Sequence, residues 1–156
     1  MPAKKPIVVT NGQLEQLQSG DYILTPDLFN RQNESGGALV KGTPVYVPAA
    51  GEIAKAQANA QATMKVFGLV ADTSIADAAA GAVQTDGNLI ATTGEWDAVT
   101  GETGGLTPNA TYFLSAATAG MLTQTAPTVD GNFVVRVGTA LSPTELEISF
   151  GQPIKL

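Results

Sequence analysis

Apolar positions in this chain come in short strings, never in a long run. In the C-terminal half the strings are Thr111–Leu114, Gly120–Thr123, Phe133–Val137 and Glu145–Phe150. Each is strand-sized and bounded by Gly, Asn or Pro, the pattern of short strands between tight turns. Upstream, Leu39-Val40 and Pro44–Val47 flank Lys41-Gly42-Thr43, and Pro48–Gly51 closes that unit as a turn. Lys65–Val70 reads as a further strand, with Gly68 allowing a bulge or a close backbone approach.

Three stretches are harder to read. Ile53–Ala62 alternates Ala with polar residues, so its period favours a strand although its alanines favour a helix. We expect an extended segment followed by a turn near Asn59–Thr63. Asp72–Ala80 reads as a loop or short helix with Asp72-Thr73-Ser74 able to cap it. Gly81–Ala91 reads as two strands around the Asp86-Gly87 turn, a single bulged strand being the alternative. Gly94–Gly105 holds the only tryptophan and three acids, and we expect a loop carrying Trp96, with at most one helical turn. Pro153 ends regular pairing before an apolar tail, Ile154-Lys155-Leu156. With about eight to ten short strands and no βα alternation, the expected class is all-β, a small β-sandwich or β-barrel of antiparallel strands.

The first 36 residues differ. Met1–Pro6 carries two prolines and is expected to be extended. Ile7–Thr10 is a strand candidate ended by Asn11-Gly12, Gln13–Gln18 a helical turn or polar loop, and Tyr22-Ile23-Leu24 a short extended piece. Asn33–Gly37 reads as a flexible break. The expected organisation is therefore an extended N-terminal arm, residues 1–36, and a β-rich body, residues 37–156. The arm lacks an apolar period of its own and is expected to pack on its own body or on a neighbour. Its candidate contact residues are Ile7, Val8, Val9, Leu14, Leu17 and Tyr22, with Trp96 added from the body.

Composition narrows the function. The 156 residues are 44% hydrophobic, but much of that is alanine and aromatics are only 6%, so one subunit has a thin core that association would reinforce. The charged fraction is 14%, below the roughly 25% usual for soluble domains, leaving surfaces of Thr, Ser, Gln and Ala that lose little on desolvation. A net charge of −6 with scattered basic residues disfavours nucleic acid, and no run is long enough for a transmembrane helix. We expect no nucleic-acid and no membrane partner.

His and Cys are absent, which removes the commonest general base, the thiol nucleophile and the usual transition-metal ligands. Glu95, Asp97 and Glu102 beside Trp96 are the residue types of a glycosidase site, two carboxylates and a stacking ring. Acids in turns and a core tryptophan are the commoner reading. The same acids, or Asp72 and Asp77, are the candidates for Ca²⁺, without the spacing of an EF-hand. We expect no catalytic residues, no cofactor and no metal site, and a structural or contact role for Trp96.

Several pieces resemble a group of tailed-bacteriophage virion proteins. They are Lys5–Leu17, Lys41–Val47, Val70–Ala76, Val83–Gly87, Glu95–Gly101, Gly104–Thr107, Tyr112–Ser115 and Val135–Ser142. Together they span nearly the whole chain and resemble the β-rich module of phage head-decoration, head-fibre and tail-fibre proteins. The resemblance implies a non-enzymatic cement protein on the capsid exterior, made in the cytoplasm of the bacterial host. Its implied partners are the major capsid protein and further copies of itself, most simply as a homotrimer. The alternatives are a tail-fibre or adaptor protein, or a carbohydrate-binding receptor-recognition module.

Overall fold

The computed structural model describes residues 27–156 and, ahead of them, the backbone of two strands, β1 (Ile7–Thr10) and β2 (Gln13–Gln16). These pair antiparallel from Ile7↔Gln16 to Thr10↔Gln13. Gln13–Gln16 is therefore a strand, not a helical turn or polar loop. The expected extended start at Met1–Pro6 and the segment Tyr22–Leu24 lie outside the described residues, as do Leu17 and Tyr22.

The class is all-β, as its strings predict. Five strands close into a barrel in the order β3-β6-β5-β7-β9. They are β3 (Leu28–Asn33), β5 (Pro44–Tyr46), β6 (Glu52–Lys55), β7 (Gly68–Val70) and β9 (Ala80–Gln84). Closure runs through β3, which pairs antiparallel with β9 from Leu28↔Gln84 to Gln32↔Ala80 and parallel with β6 at Asn33↔Ile53. Val45, Ile53, Val70 and Val83 fill the barrel with Leu39 and Ile75. The last two come from the two-residue strands β4 (Leu39–Val40) and β8 (Ser74–Ile75), which pair with each other.

The barrel takes in the last part of residues 1–36. Leu28–Asn33, read as part of a separable arm, is a barrel strand, and Asn33 is completely buried. Its side chain fastens one end of the barrel. Nδ2 donates to the carbonyls of Gly37 (2.8 Å), Ile75 (3.0 Å) and Ala76 (3.2 Å), and Oδ1 accepts from the Ser35 N–H. Asn33–Gly37 is thus a tied turn and not a free hinge. Asp72–Ala80 contains β8 where a loop or helix was expected.

The second layer is a five-stranded antiparallel sheet, β10-β15-β14-β11-β12. Its strands are β10 (Gly87–Ile90), β11 (Thr111–Leu114), β12 (Leu122–Thr123), β14 (Arg136–Ser142) and β15 (Glu145–Ile148). One face is buried through Leu89, Tyr112, Leu114, Leu122, Val137, Ala140, Leu146 and Ile148. Leu69 joins that cluster while its neighbour Val70 points into the barrel, so β7 is buried on both sides and unites the two layers. Gly68 makes this possible. A Cβ there would stand 2.6 Å from both the Gln84 carbonyl oxygen and Val83 Cγ1, the close approach its position in the string suggests.

Gly81–Ala91 does contain two strands, but they are not a hairpin. β9 belongs to the barrel and β10 pairs with β15, so Asp86-Gly87 carries the chain between layers. The apolar tail also pairs: β16 (Ile154–Lys155) lies antiparallel to β13 (Phe133–Val134).

Gly94–Gly105 is not a loop with a single turn. Thr93–Thr100 forms helix α1, started by a reciprocal capping box between Thr92 and Glu95 and ended by Gly101 at φ 72°. The helix buries Trp96 and Val99. Gly42, at φ +85°, brings its backbone against the indole, where a Cβ would meet Trp96 Cζ3 at 3.0 Å.

Candidate interaction surfaces

The acids around Trp96 are the natural place to look for chemistry, and each has a structural partner. Glu95 Oε2 accepts from the Thr92 backbone N–H (2.8 Å) and hydroxyl (3.0 Å). The Thr92 N–H holds the Glu95 carboxyl below its ordinary value, aided by the Thr92 hydroxyl and Lys41 and opposed by partial burial. A glycosidase acid is shifted the other way. Asp97 accepts from the backbone N–H of Gly104 (3.1 Å) and Gly105 (2.7 Å), pinning the turn after α1.

Glu102 takes part in a network at the edge of the sheet. Tyr112 Oη donates to Glu102 Oε2 (2.8 Å) and accepts from the Thr107 N–H (3.0 Å). Gln124 Nε2 donates to Glu102 Oε1 (2.8 Å) and Thr107 Oγ1 (2.9 Å). Burial pushes the Tyr112 phenol above its ordinary value; the Thr107 N–H opposes this and the Glu102 carboxylate adds to it. Trp96 itself is fully buried, so its ring offers no stacking platform to a sugar and no surface to a partner. Of the structural and contact roles expected of it, burial in the single chain is that of the structural one.

The Ca²⁺ candidates are engaged in the same way. Asp72 Oδ2 accepts from the Ala82 N–H at 2.8 Å, and Asp77 Oδ1 accepts from the Gly36 N–H at 3.0 Å. Among the described residues, no three acidic side chains converge as a metal-holding group. Among them, too, no helix is long and apolar enough to cross a membrane.

Several large apolar side chains face outward among the described residues. On the barrel, the exposed Leu28 and Phe29 lie at the start of β3. The Phe29 and Phe67 rings meet edge-to-face at 5.5 Å, and Arg31 Cζ lies 5.2 Å and 5.3 Å from their centroids. Phe67 also lines a concavity of about 320 Å³ with Tyr46, Val47, Ala62, Lys65 and Val66. Lys65 and Val66 continue into a second concavity of about 240 Å³ bordered by Val135, Phe150 and Pro153. A wider groove of about 470 Å³ runs beside the edge strand β12, lined by Ser115, Ala117, Thr123, Thr125, Pro127 and Asn132 among others. The outer face of the five-stranded sheet exposes Ile90 and Leu141 among polar neighbours.

Of the residues singled out as contacts, Ile7, Val8 and Val9 fall on β1 and Leu14 on β2. The Phe29–Arg31–Phe67 cluster was not anticipated. Leu28–Asn33 has no alternating apolar pattern, and the only hint was an aromatic in a polar stretch. No protein-family model matches the chain, and no curated protein matches it.

Proposed function

We propose that this chain is a structural protein of a tailed-phage particle. It is a decoration, or cement, protein that binds the outer capsid surface and stabilises the shell through protein–protein contacts. It performs no catalysis, self-associates as a trimer, and has the major capsid protein as its partner. The resemblance of its sequence pieces to phage virion proteins motivates the reading. The observation that carries it is the number of large apolar side chains left outside two complete cores. Ile90, Val129 and Ile154 are 64%, 65% and 62% exposed, in a chain with few charges to break up such surface. A clip across capsomer boundaries needs contact area of this kind and no reactive groups.

The test is to add purified protein to expanded capsids of the phage that encodes it and image them by electron cryo-microscopy. Density repeating over the outer shell, with higher resistance of decorated capsids to heat or low salt, is the expected result. Density confined to the tail, or glycan-array binding with no capsid binding, replaces this reading with the tail-fibre or receptor-recognition one.

A further inference from the structure

Asp-Gly occurs twice in the chain, at Asp86-Gly87 and Asp130-Gly131. Both aspartates are exposed to solvent. Both glycines take a left-handed backbone, Gly87 at φ +75° and Gly131 at φ +87°, which glycine adopts without strain. The two pairs differ in where the glycine N–H points. The Gly131 N–H donates to the Leu156 carbonyl at 3.1 Å, beside the β13–β16 pair. The Gly87 N–H donates to Oδ1 of the preceding residue, Asp86, at 2.7 Å.

That short bond sets the Gly87 nitrogen against the Asp86 carboxyl group, a nucleophile held beside its electrophile. Gly87 has no Cβ to crowd the approach. The backbone around the pair is fixed. The buried Gln84 donates from Nε2 to the Asp86 carbonyl at 2.8 Å, and the Thr85 N–H donates to the Asp27 carbonyl at 3.0 Å. The fold therefore holds the reacting groups together while leaving the Asp86 side chain in water.

We propose that Asp86-Gly87 is a self-modification site, at which aspartate isomerises to isoaspartate with water as the only other reactant. The Gly87 nitrogen bonds to Cγ of Asp86 in its acid form. The amide proton and the carboxyl OH leave as water, and a cyclic imide closes. Water then adds at the imide carbon that was the main-chain carbonyl of Asp86, and the bond from that carbon to the Gly87 nitrogen breaks. The chain now runs through Cβ and Cγ, and the former main-chain carbon carries a free carboxyl group. One water is lost and one is gained, so nothing is oxidised or reduced. The added main-chain atom falls in Thr85-Asp86, the link between barrel strand β9 and sheet strand β10. It displaces the carbonyl that Gln84 holds and the start of the β10–β15 ladder at Gly87↔Ile148. The joint between the two layers therefore weakens as the protein ages.

The full wild-type chain is aged for weeks in warm, near-neutral buffer, once folded and once in denaturing urea. It is then digested so that the two Asp-Gly pairs fall in separate peptides. Liquid chromatography with electron-transfer fragmentation distinguishes isoaspartate from aspartate in each. In the folded protein isoaspartate is expected to form ~10-fold or more faster at Asp86 than at Asp130, and in urea the two rates are expected to agree within about twofold. Equal rates in the folded protein, or a difference that persists in urea, overturn the proposal, because the fold then directs nothing. The aged wild type is expected to melt about 2 °C or more below the fresh protein, while Asp86→Ser, aged beside it, keeps its Tm. An aged wild type with isoaspartate at Asp86 and an unchanged Tm, or an Asp86→Ser chain that loses as much, overturns the weakening of the joint.

Discussion

Replacing Asn33 is expected to destabilise the barrel, although residue 33 precedes the Gly36-Gly37 pair that marks a sequence break. In the wild type its amide donates to three carbonyls and accepts from the Ser35 N–H, and its own carbonyl accepts from the Ala78 N–H at 2.7 Å. Asn33→Ala removes only the side-chain bonds. The Gly37 carbonyl keeps the Ser35 hydroxyl at 2.9 Å, and the Ala76 carbonyl keeps the Ala79 N–H at 3.1 Å. The Ile75 carbonyl, which stays on the β4–β8 ladder opposite Leu39, and the Ser35 N–H each lose a bond in or beside the barrel core. A lost hydrogen bond costs about 0.5–1.5 kcal/mol. The total is roughly 1–3 kcal/mol, or a fall of ~2–12 °C in Tm for a chain of this size. Urea and thermal unfolding followed by circular dichroism measure it. Asn33→Asp adds a signature that mere loss of packing lacks. A carboxylate facing three carbonyl oxygens is disfavoured, so its folded-state pKa is raised. The variant should be least stable above that pKa and should recover as pH falls through it, when the acid regains a proton to donate. If Asn33→Ala unfolds within about 0.5 kcal/mol of wild type, the side chain does not fasten the barrel.

Trp96→Ala should cost about 3–5 kcal/mol in unfolding experiments, because the indole is fully buried against Gly42 and Val99, and should leave association of the folded fraction unchanged. Thr92→Ala should cost about 1 kcal/mol through loss of the helix cap. The Glu95 carboxyl has a lowered folded-state pKa, so its contribution is present above the ordinary carboxylate value and lost as pH falls through the lowered one; acid titration of stability should flatten in Glu95→Gln and change only slightly in Thr92→Ala, which keeps the backbone N–H. Tyr112→Phe should cost on the order of 1–2 kcal/mol by stranding Glu102 and the Thr107 N–H. In the wild type, ultraviolet titration should show one tyrosine ionising above the usual range, and the stability tied to it, full below about pH 10, should be lost as pH rises through that raised value. Raising salt from about 50 to 500 mM should change the self-association constant less than about threefold by light scattering, since the exposed Ile90, Val129 and Ile154 side chains are apolar.

The strands with their own local logic were legible in the sequence. Thr111–Leu114, Glu145–Ile148 and Pro44–Tyr46 sit where turn residues bound an apolar string, and each buries the residues such a string offers. β3 was not legible. Its burial is confined almost entirely to Asn33, and it is held by ladders to β9 and β6, partners far along the chain that leave no trace in its own side chains. Helix α1 was missed for a different reason. Thr92-Thr93-Gly94-Glu95 has the spacing of a capping box, a signal present in the sequence, but Thr and Gly are poor helix formers. The helix exists because Trp96 and Val99, one turn apart, are both drawn into the core. The aromatic cluster was illegible because Phe29 and Phe67 are far apart in sequence and meet only when β3 closes the barrel.

The placement of polar groups accounts for the character of the outer surface. Glu95, Asp97, Glu102, Asp72 and Asp77 all bind groups of their own chain, chiefly backbone N–H groups at turns and at the helix start. Four of the fourteen acids, Asp72, Asp77, Glu95 and Asp97, are tied to backbone N–H groups in a chain that is only 14% charged. Such carboxylates act as fasteners at the ends of the barrel and sheet, where short strands leave many backbone donors without a ladder partner. The faces between those fasteners are left to Thr, Ala and a few large apolar side chains. Surfaces of that kind discriminate by shape and by where an aromatic ring sits, and gain little from long-range steering. Where two surfaces meet at high local concentration such steering adds little, and a fitted apolar surface is sufficient for contact.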